Sequence, residues 1–357
     1  MRYIQTKHLQ PGDKLASDLV LSKNRLMLRR GIPLTDALIR RVRINGFAGL
    51  YIDDDLSEGL YISDVVSERI KIKTAAELRA LFESAQTGDT TRLGHQTKSL
   101  QKLAGSIVDE IRYEPQAMVN AVDLRTYDEY TYRHCLNVAV LSVVVGCVLG
   151  LTQSDLVNLA LGALLHDVGR MFVDADVDRR PERLSPDKFE QVKRHCRLGF
   201  DFLSENVNIP ESAVNVALYH HEHYDGSGYP SGLAFEDIPL FSRIVCATDV
   251  YDALTSDRPY RKAVLPSDAI EYIMSGYNTL FDPTVVKALT KKVAPYPVGT
   301  CVRLSSGDVG IVVKNCENTS LRPIIRLIRD DILTEDLLDL AGDRSALNVT
   351  IAQIIQL

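Results

Sequence analysis

The spacing of apolar residues changes character along the chain. Residues 1–62 carry short runs at strand spacing, Lys14 to Leu21 and Arg25 to Leu28, with the turn residues Lys23-Asn24 between them. Gly31 and Pro33 interrupt the pattern, and Thr35 is placed to cap a helix whose Leu38, Ile39 and Val42 share one face. Leu50-Tyr51-Ile52 reads as a further strand, so a small α+β N-terminal domain is expected. Residues 63–120 switch to helical spacing. Ile70, Ile72, Leu78, Leu81 and Phe82 form one amphipathic segment and Leu93, Leu100, Leu103, Ile107 and Ile111 a second, broken at Gly88-Asp89. Such a hairpin packs on the next domain or on a second copy, giving a homodimer through the 63–120 helices. Residues 121–294 hold the most apolar stretches, Val138 to Leu151 and Leu156 to Leu165. The second is apolar nearly all round, which predicts a buried helix. Past Pro295-Tyr296-Pro297, the runs Cys301–Leu304, Val309–Lys314 and Ile324–Ile328 predict strands in a β-rich module over 295–357. The expected fold is mainly α: an all-helical domain at 121–294 between a small α+β domain and a small β module.

Composition changes this picture little. The chain is 45% hydrophobic and 25% charged, with a net charge of -6. An acidic balance argues against duplex nucleic acid as partner, because duplex binding leans on basic surface. The six cysteines, Cys135, Cys147, Cys196, Cys246, Cys301 and Cys316, include no C-x-x-C pair and are read as reduced thiols, several acting as small hydrophobes. None is placed among the candidate ligands described below. No apolar run reaches the roughly 18 residues of a membrane span, and the first residues lack a leader-like apolar stretch, so a cytoplasmic protein without membrane association is expected.

The histidines alter the picture most. Six of the eight, His134, His166, His195, His220, His221 and His223, fall between residues 130 and 225. His166-Asp167 closes the apolar run at 156–165, and a carboxylate entering a core is costly unless a partner neutralises it. A metal ion is one such partner; hydrogen bonds are another. His134 precedes an apolar helix, and His195 is ambiguous taken alone. Neighbouring histidines on a helix point about 100° apart, so His220 and His221 can reach two metals, or one metal and its water. Asp249 and Asp252, at i and i+3, share a helix face. Imidazole and carboxylate donors suit iron, manganese or zinc. Their number exceeds the needs of one catalytic metal and fits a two-metal site for in-line displacement at phosphorus. The loop His223 to Pro230 offers glycine freedom and the ring of Tyr229. Arg258 and Arg261 sit in a compact basic segment suited to bidentate phosphate contacts.

His166-Asp167-Val168-Gly169-Arg170 resembles the HD-x-G-K motif of the HD superfamily. His220-His221-Glu222 through Gly228-Tyr229-Pro230 resembles the HHExxDGxGYP signature of HD-GYP domains, and Asp249 through Tyr260 is similar to that family's DVxDALTSxRPY segment. The resemblance covers residues 121–294. It implies a phosphodiesterase that hydrolyses cyclic di-GMP to pGpG and then GMP, using two divalent metal ions, iron or manganese. The implied metal ligands are His134, His166, Asp167, His195, His220, His221 and Asp249, with Asp167 bridging. The implied substrate contacts are Arg170, Tyr229, Arg258 and Arg261, with Asp167 and Arg170 also serving catalysis. Two positions depart from the family. Arg170 stands where lysine is usual; it stabilises phosphate charge but cannot donate a proton near neutral pH. Tyr130 stands where some members carry a glutamate for a third metal, so two metals are expected. A cyclic di-GMP sensor with little turnover, or an HD phosphohydrolase acting on mononucleotides or alarmones, are the alternatives.

Overall fold

A computed structural model describes residues 1–21, 25–45, 47, 49–60, 65–114, 118–119, 130–173, 185–256, 263–330 and 332–357. The Lys23-Asn24 turn, Glu129, Arg258 and Arg261 lie outside the described residues, as does the side chain of Tyr130.

The N-terminal region pairs β1 (Arg2–Gln5), β5 (Gly49–Asp53) and β2 (Lys14–Leu15) in a sheet ordered β1-β5-β2, beside a β3 (Leu19–Leu21)–β4 (Arg25–Leu28) hairpin. The expected single strand over 14–21 is thus split in two. Helix α1 (Asp36–Ile44) starts where Thr35 Oγ1 accepts the Leu38 amide, and it buries Ile39 and Val42 against the sheet residues Leu50 and Ile52.

Helices α2 (Glu68–Thr87) and α3 (Thr90–Tyr113) form the expected hairpin. It turns at Gly88, whose φ of +70° suits glycine. Asp89 caps α3 by accepting the Arg92 amide at 3.1 Å. The hairpin's apolar face, including Leu78, Leu81, Phe82, Leu100 and Ile107, is spent inside this chain. It joins one continuous core with α4 (Tyr130–Val148) and α5 (Gln153–Leu165), and Phe82 meets Tyr132 edge to face. Helices α6 (Pro186–Asn206), α7 (Glu211–Tyr219), α8 (Leu240–Thr255), α9 (Pro266–Ser275) and α10 (Pro283–Lys292) complete the helical region. Within α4, the stretch Thr131–Val148 has a mean hydropathy of 1.4, long and apolar enough by composition to cross a bilayer, yet 67% of it is buried against its neighbours. It is the central core helix, longer than the apolar run alone suggested.

The C-terminal region is a five-stranded antiparallel sheet, ordered β10-β6-β7-β8-β9, of β6 (Cys301–Leu304), β7 (Val309–Lys314), β8 (Ile324–Arg329), β9 (Ile332–Asp339) and β10 (Ile351–Ile354). Its Ile311 and Ile328 pack with Leu60, tying the two ends of the chain together. The strands β9 and β10 were not expected. Both are edges with largely exposed side chains, so neither shows the apolar alternation that marks a half-buried strand.

Candidate metal centre

Two close packings bring the histidines together. Helix α5 ends at Leu165, leaving His166 as its C-terminal cap residue and Asp167 at the start of a short 3-10 turn over Val168–Phe172. Gly162 lets α5 approach α7, since a Cβ there would lie 2.7 Å from Val216 Cγ2 and 2.9 Å from Ala213 O. That contact sets the His166 and His220 rings edge to face at 4.9 Å. Gly169 does the same between the 3-10 turn and α6, where a Cβ would fall 1.9 Å from His195 O. No side chain fits there, so the glycine lets Asp167 come within 3.4 Å of His195. On the other side, α4 and α8 are joined by a buried Ser142–Thr248 hydroxyl contact at 2.8 Å. This places His134 opposite Asp249 and Asp252.

Six of the seven residues expected as metal ligands fall into two donor groups, and Asp249 stands beside one of them. His134, His166 and Asp167 offer donor atoms all within 4.8 Å of one another, and so do His195, Cys196, His220 and His221. Asp167 stands between the groups. Its Oδ1 lies 3.4 Å from His195 Nε2 and 3.9 Å from His220 Nε2. Its Oδ2 faces His166 at 3.7 Å and forms an ion pair with Arg170, 2.7 Å from Nε. Asp249 reaches the site through His134, whose Nε2 lies 2.9 Å from Asp249 Oδ1. His220 and His221 do not ride on a regular helix as expected. Helix α7 stops at Tyr219, and the change of direction turns both rings inward, 4.1 Å apart.

The hydrogen bonds reveal which ring nitrogen carries a proton. Nδ1 of His166 points at Ala163 O (2.7 Å), that of His195 at Val192 O (2.7 Å) and that of His220 at Val216 O (3.0 Å). A carbonyl only accepts, so in each ring Nδ1 is the donor and Nε2 of the neutral ring bears a lone pair. These lone pairs converge, with His195 Nε2 and His220 Nε2 3.3 Å apart. The Nε2 atoms of His166 and His221 and Oδ1 of Asp167 are buried without a hydrogen-bond partner. Buried acceptors facing one another repel unless a cation lies among them. A ligating histidine characteristically gives its other N–H to a carbonyl or carboxylate, as His166, His195 and His220 do. The donor set therefore fits a divalent metal ion.

Protonation follows the same geometry. Burial, with the neighbouring imidazoles, holds His220 well below the usual histidine range, and burial chiefly holds His195 low and His221 down at about 3. Burial opposes ionisation of Asp167, but Arg170 and the imidazoles outweigh it and keep the carboxyl well below its ordinary range. Burial would also lower His134. Its hydrogen bonds to Asp249 and to Asp252 Oδ2 (2.7 Å) overcome that and raise it to about 9.

Three contributors escaped the sequence reasoning. Asp252 was seen only as a second carboxylate on the Asp249 face, yet it accepts from His134 Nδ1 and from Asn137 Nδ2 at 2.7 Å, fixing the imidazole. Glu222 is buried and accepts the amides of Ser231 (2.6 Å) and Leu233 (3.1 Å), so it rivets the loop that carries Tyr229. Cys196 places its Sγ 3.6 Å from His195 Nε2. Tyr229 lies over His221, with ring centroids 4.8 Å apart and planes at 30°. Gly228 permits that fold-back, since a Cβ there would sit 2.2 Å from His223 N. The ammonium of Lys193 stands 5.2 Å above the Tyr229 ring, with Phe189 alongside.

The HD-domain family profile matches residues 107–285, just over half of the chain. The chain is 36% identical over 255 residues to a protein of Pseudomonas aeruginosa named cyclic di-GMP phosphodiesterase PA4108, covering 71% of this chain and 60% of that one. It is 42% identical over 144 residues to the cyclic di-GMP phosphodiesterase response regulator RpfG of Xanthomonas campestris, covering 40% of this chain and 38% of that one. It thus spans less than two thirds of the length of either relative. The solved structure of Bd1817, an HDG"Y"P protein from Bdellovibrio bacteriovorus, superposes with a TM-score of 0.50 at 18% identity, over 80% of this chain and 97% of that one, a likeness of fold. With the profile spanning His134, His166-Asp167, His195 and His220-His221, the chain belongs to the HD-domain family.

Proposed function

We propose that this chain is a metal-dependent phosphodiesterase that hydrolyses cyclic di-GMP to pGpG and on to GMP. The observation that carries the reading is the convergence of the buried Nε2 atoms of His166, His195 and His220 on Asp167, with His166 Nε2 and Asp167 Oδ1 lacking any hydrogen-bond partner. The names of the two relatives supply the substrate. In this reading His134, His166, Asp167, His195, His220, His221 and Asp249 hold two divalent ions, iron or manganese. Such a pair supplies Lewis-acid activation of water and charge stabilisation at phosphorus.

The chain's own residues do the rest. Asp167 presents one oxygen to each histidine group and would help to hold both ions. Asp252 keeps a proton on His134 Nδ1 and leaves Nε2 for coordination. Arg170, held at 2.7 Å by Asp167, offsets negative charge developing on the phosphate. The Tyr229 ring, which covers His221 and has the Lys193 ammonium above it, is assigned to the guanine portion of the substrate. Arg258 and Arg261 are assigned to the phosphates. The substrate is a small anion, so the acidic chain needs only these local cations, and the assigned setting is the cytoplasm.

The test is metal-loaded chain incubated with cyclic di-GMP, with 3′,3′-cyclic GMP-AMP in parallel, and products separated by chromatography. The expected result is pGpG and GMP from the first substrate. A His166→Ala, Asp167→Ala double variant that hydrolyses as fast as the parent would end the proposal.

A further inference from the structure

We infer that Cys196 supplies a sulfur ligand to the metal ion held by His195 and His220, making this half of the centre a mixed nitrogen–sulfur site. The inference rests on reading the cluster as a metal centre and adds a donor that the ligand types at histidine-aspartate spacing did not suggest.

Geometry is its first support. In a tetrahedral site with bonds of about 2.1 Å to nitrogen and about 2.3 Å to sulfur, two nitrogens lie about 3.4 Å apart and a nitrogen and a sulfur about 3.6 Å apart. His195 Nε2 and His220 Nε2 are 3.3 Å apart, and Cys196 Sγ is 3.6 Å from His195 Nε2. Both separations are edges of such a tetrahedron. The donor atoms of His195, Cys196, His220 and His221 all fall within 4.8 Å of one another. Among these, His221 Nε2 is buried without a hydrogen-bond partner, a second sign that the group faces a cation.

The chain contains its own control. Cys135 follows His134 just as Cys196 follows His195, and both thiols are fully buried. Only Cys196 joins a donor cluster among the described residues. Burial beside a histidine is therefore not enough to place a sulfur at the site; the turn of α6 beneath Gly169 brings Cys196 there. Without metal, the S–H can donate to His195 Nε2. On loading, a metal–sulfur bond forms and the thiol proton passes to solvent, with no change of oxidation state. Thiolate is a soft donor, so this half should prefer iron or zinc to manganese.

The experiment is absorption spectroscopy of the chain loaded with cobalt(II). Visible ligand-field bands report cobalt in the site, and a near-ultraviolet charge-transfer band reports sulfur bound to it. The parent and Cys135→Ser should show both, and Cys196→Ser should keep the visible bands and lose the charge-transfer band. Visible bands without the sulfur band in the parent, or a sulfur band that survives in Cys196→Ser, overturn the sulfur ligand and leave the metal centre standing. A parent that takes up no cobalt overturns both. X-ray absorption on parent loaded with iron needs no variant. A scattering shell at about 2.3 Å supports the inference, and one confined to about 2.0–2.2 Å contradicts it.

Discussion

His134 and His195 are both buried imidazoles that face an aspartate, yet they hold opposite charge states. His134 lies between two carboxylates, Asp249 at 2.9 Å and Asp252 at 2.7 Å, and is lifted to about 9. His195 gives its Nδ1 proton to the Val192 carbonyl, and its nearest carboxylate oxygen, on Asp167, is 3.4 Å away, so burial keeps it neutral. The difference comes from what holds Nδ1. A carbonyl leaves Nε2 as an open lone pair, whereas a carboxylate on each side makes the imidazolium stable without metal. The His195 group is thus arranged as open donors, whereas His134 sits in an internal ion pair that a bound metal would have to break.

Asp167 is common to both halves, so its replacement should have the largest effect. In Asp167→Asn the shared anion is gone, and both ions should be lost together with hydrolysis of cyclic di-GMP to background. Elemental analysis and product chromatography on one sample would check this, and an ion retained in either half would show the halves to be independent. Asp252→Asn should act on the His134 half alone. Losing the partner that orients a ligating histidine costs about 10–100-fold in metal affinity or activity. Metal titration should then show one weakened site and one unchanged. Gly169→Ala attacks the opposite half, because its Cβ would meet the His195 carbonyl at 1.9 Å. Overpacking of this kind costs about 1–3 kcal/mol. The expected result is a lower unfolding midpoint in urea and weaker binding at the His195 site.

The smallest effect is one of pH. His134 lies at about 9 against an ordinary 6.5, so its contribution to the metal-free fold is complete below 6.5 and is lost as pH rises through 9. Asp167 and Asp249 are depressed below their ordinary 3.8, so their contribution is present above that value and is lost on acidification. Chelated protein should therefore melt at a lower temperature at pH 9 than at pH 6.5. The rise in melting temperature on adding metal should be larger at pH 9, because less proton must leave His134. Asp252→Asn should flatten the alkaline limb.

Much of this centre was readable from residue types. His166-Asp167 closing an apolar helix, and a second histidine pair before a glycine-rich loop, signal buried ligands because charge and imidazole are otherwise rare there. What stayed hidden has physical reasons. Whether His134 is charged depends on which side chains reach both nitrogens, and only the packing of α4 on α8 decides that. Cys196 reads as one more small apolar residue on an amphipathic helix. The tight approach of Gly169 to α6 joins residues far apart in sequence. Glu222 sits within the loop signature, but its role as acceptor for Ser231 and Leu233 needs the loop's folded path. The helices of the core were legible from periodicity, and the edge strands β9 and β10 were not, because strands exposed to solvent lack the alternation.

The most direct test of the two-halved centre is a metal count on anaerobically purified, desalted chain, made on the sample then assayed with cyclic di-GMP. Two divalent ions per chain, falling to none in Asp167→Asn with loss of hydrolysis, is the predicted result. A parent that turns over cyclic di-GMP with a single ion, or carries none after loading with iron or manganese, would contradict the account.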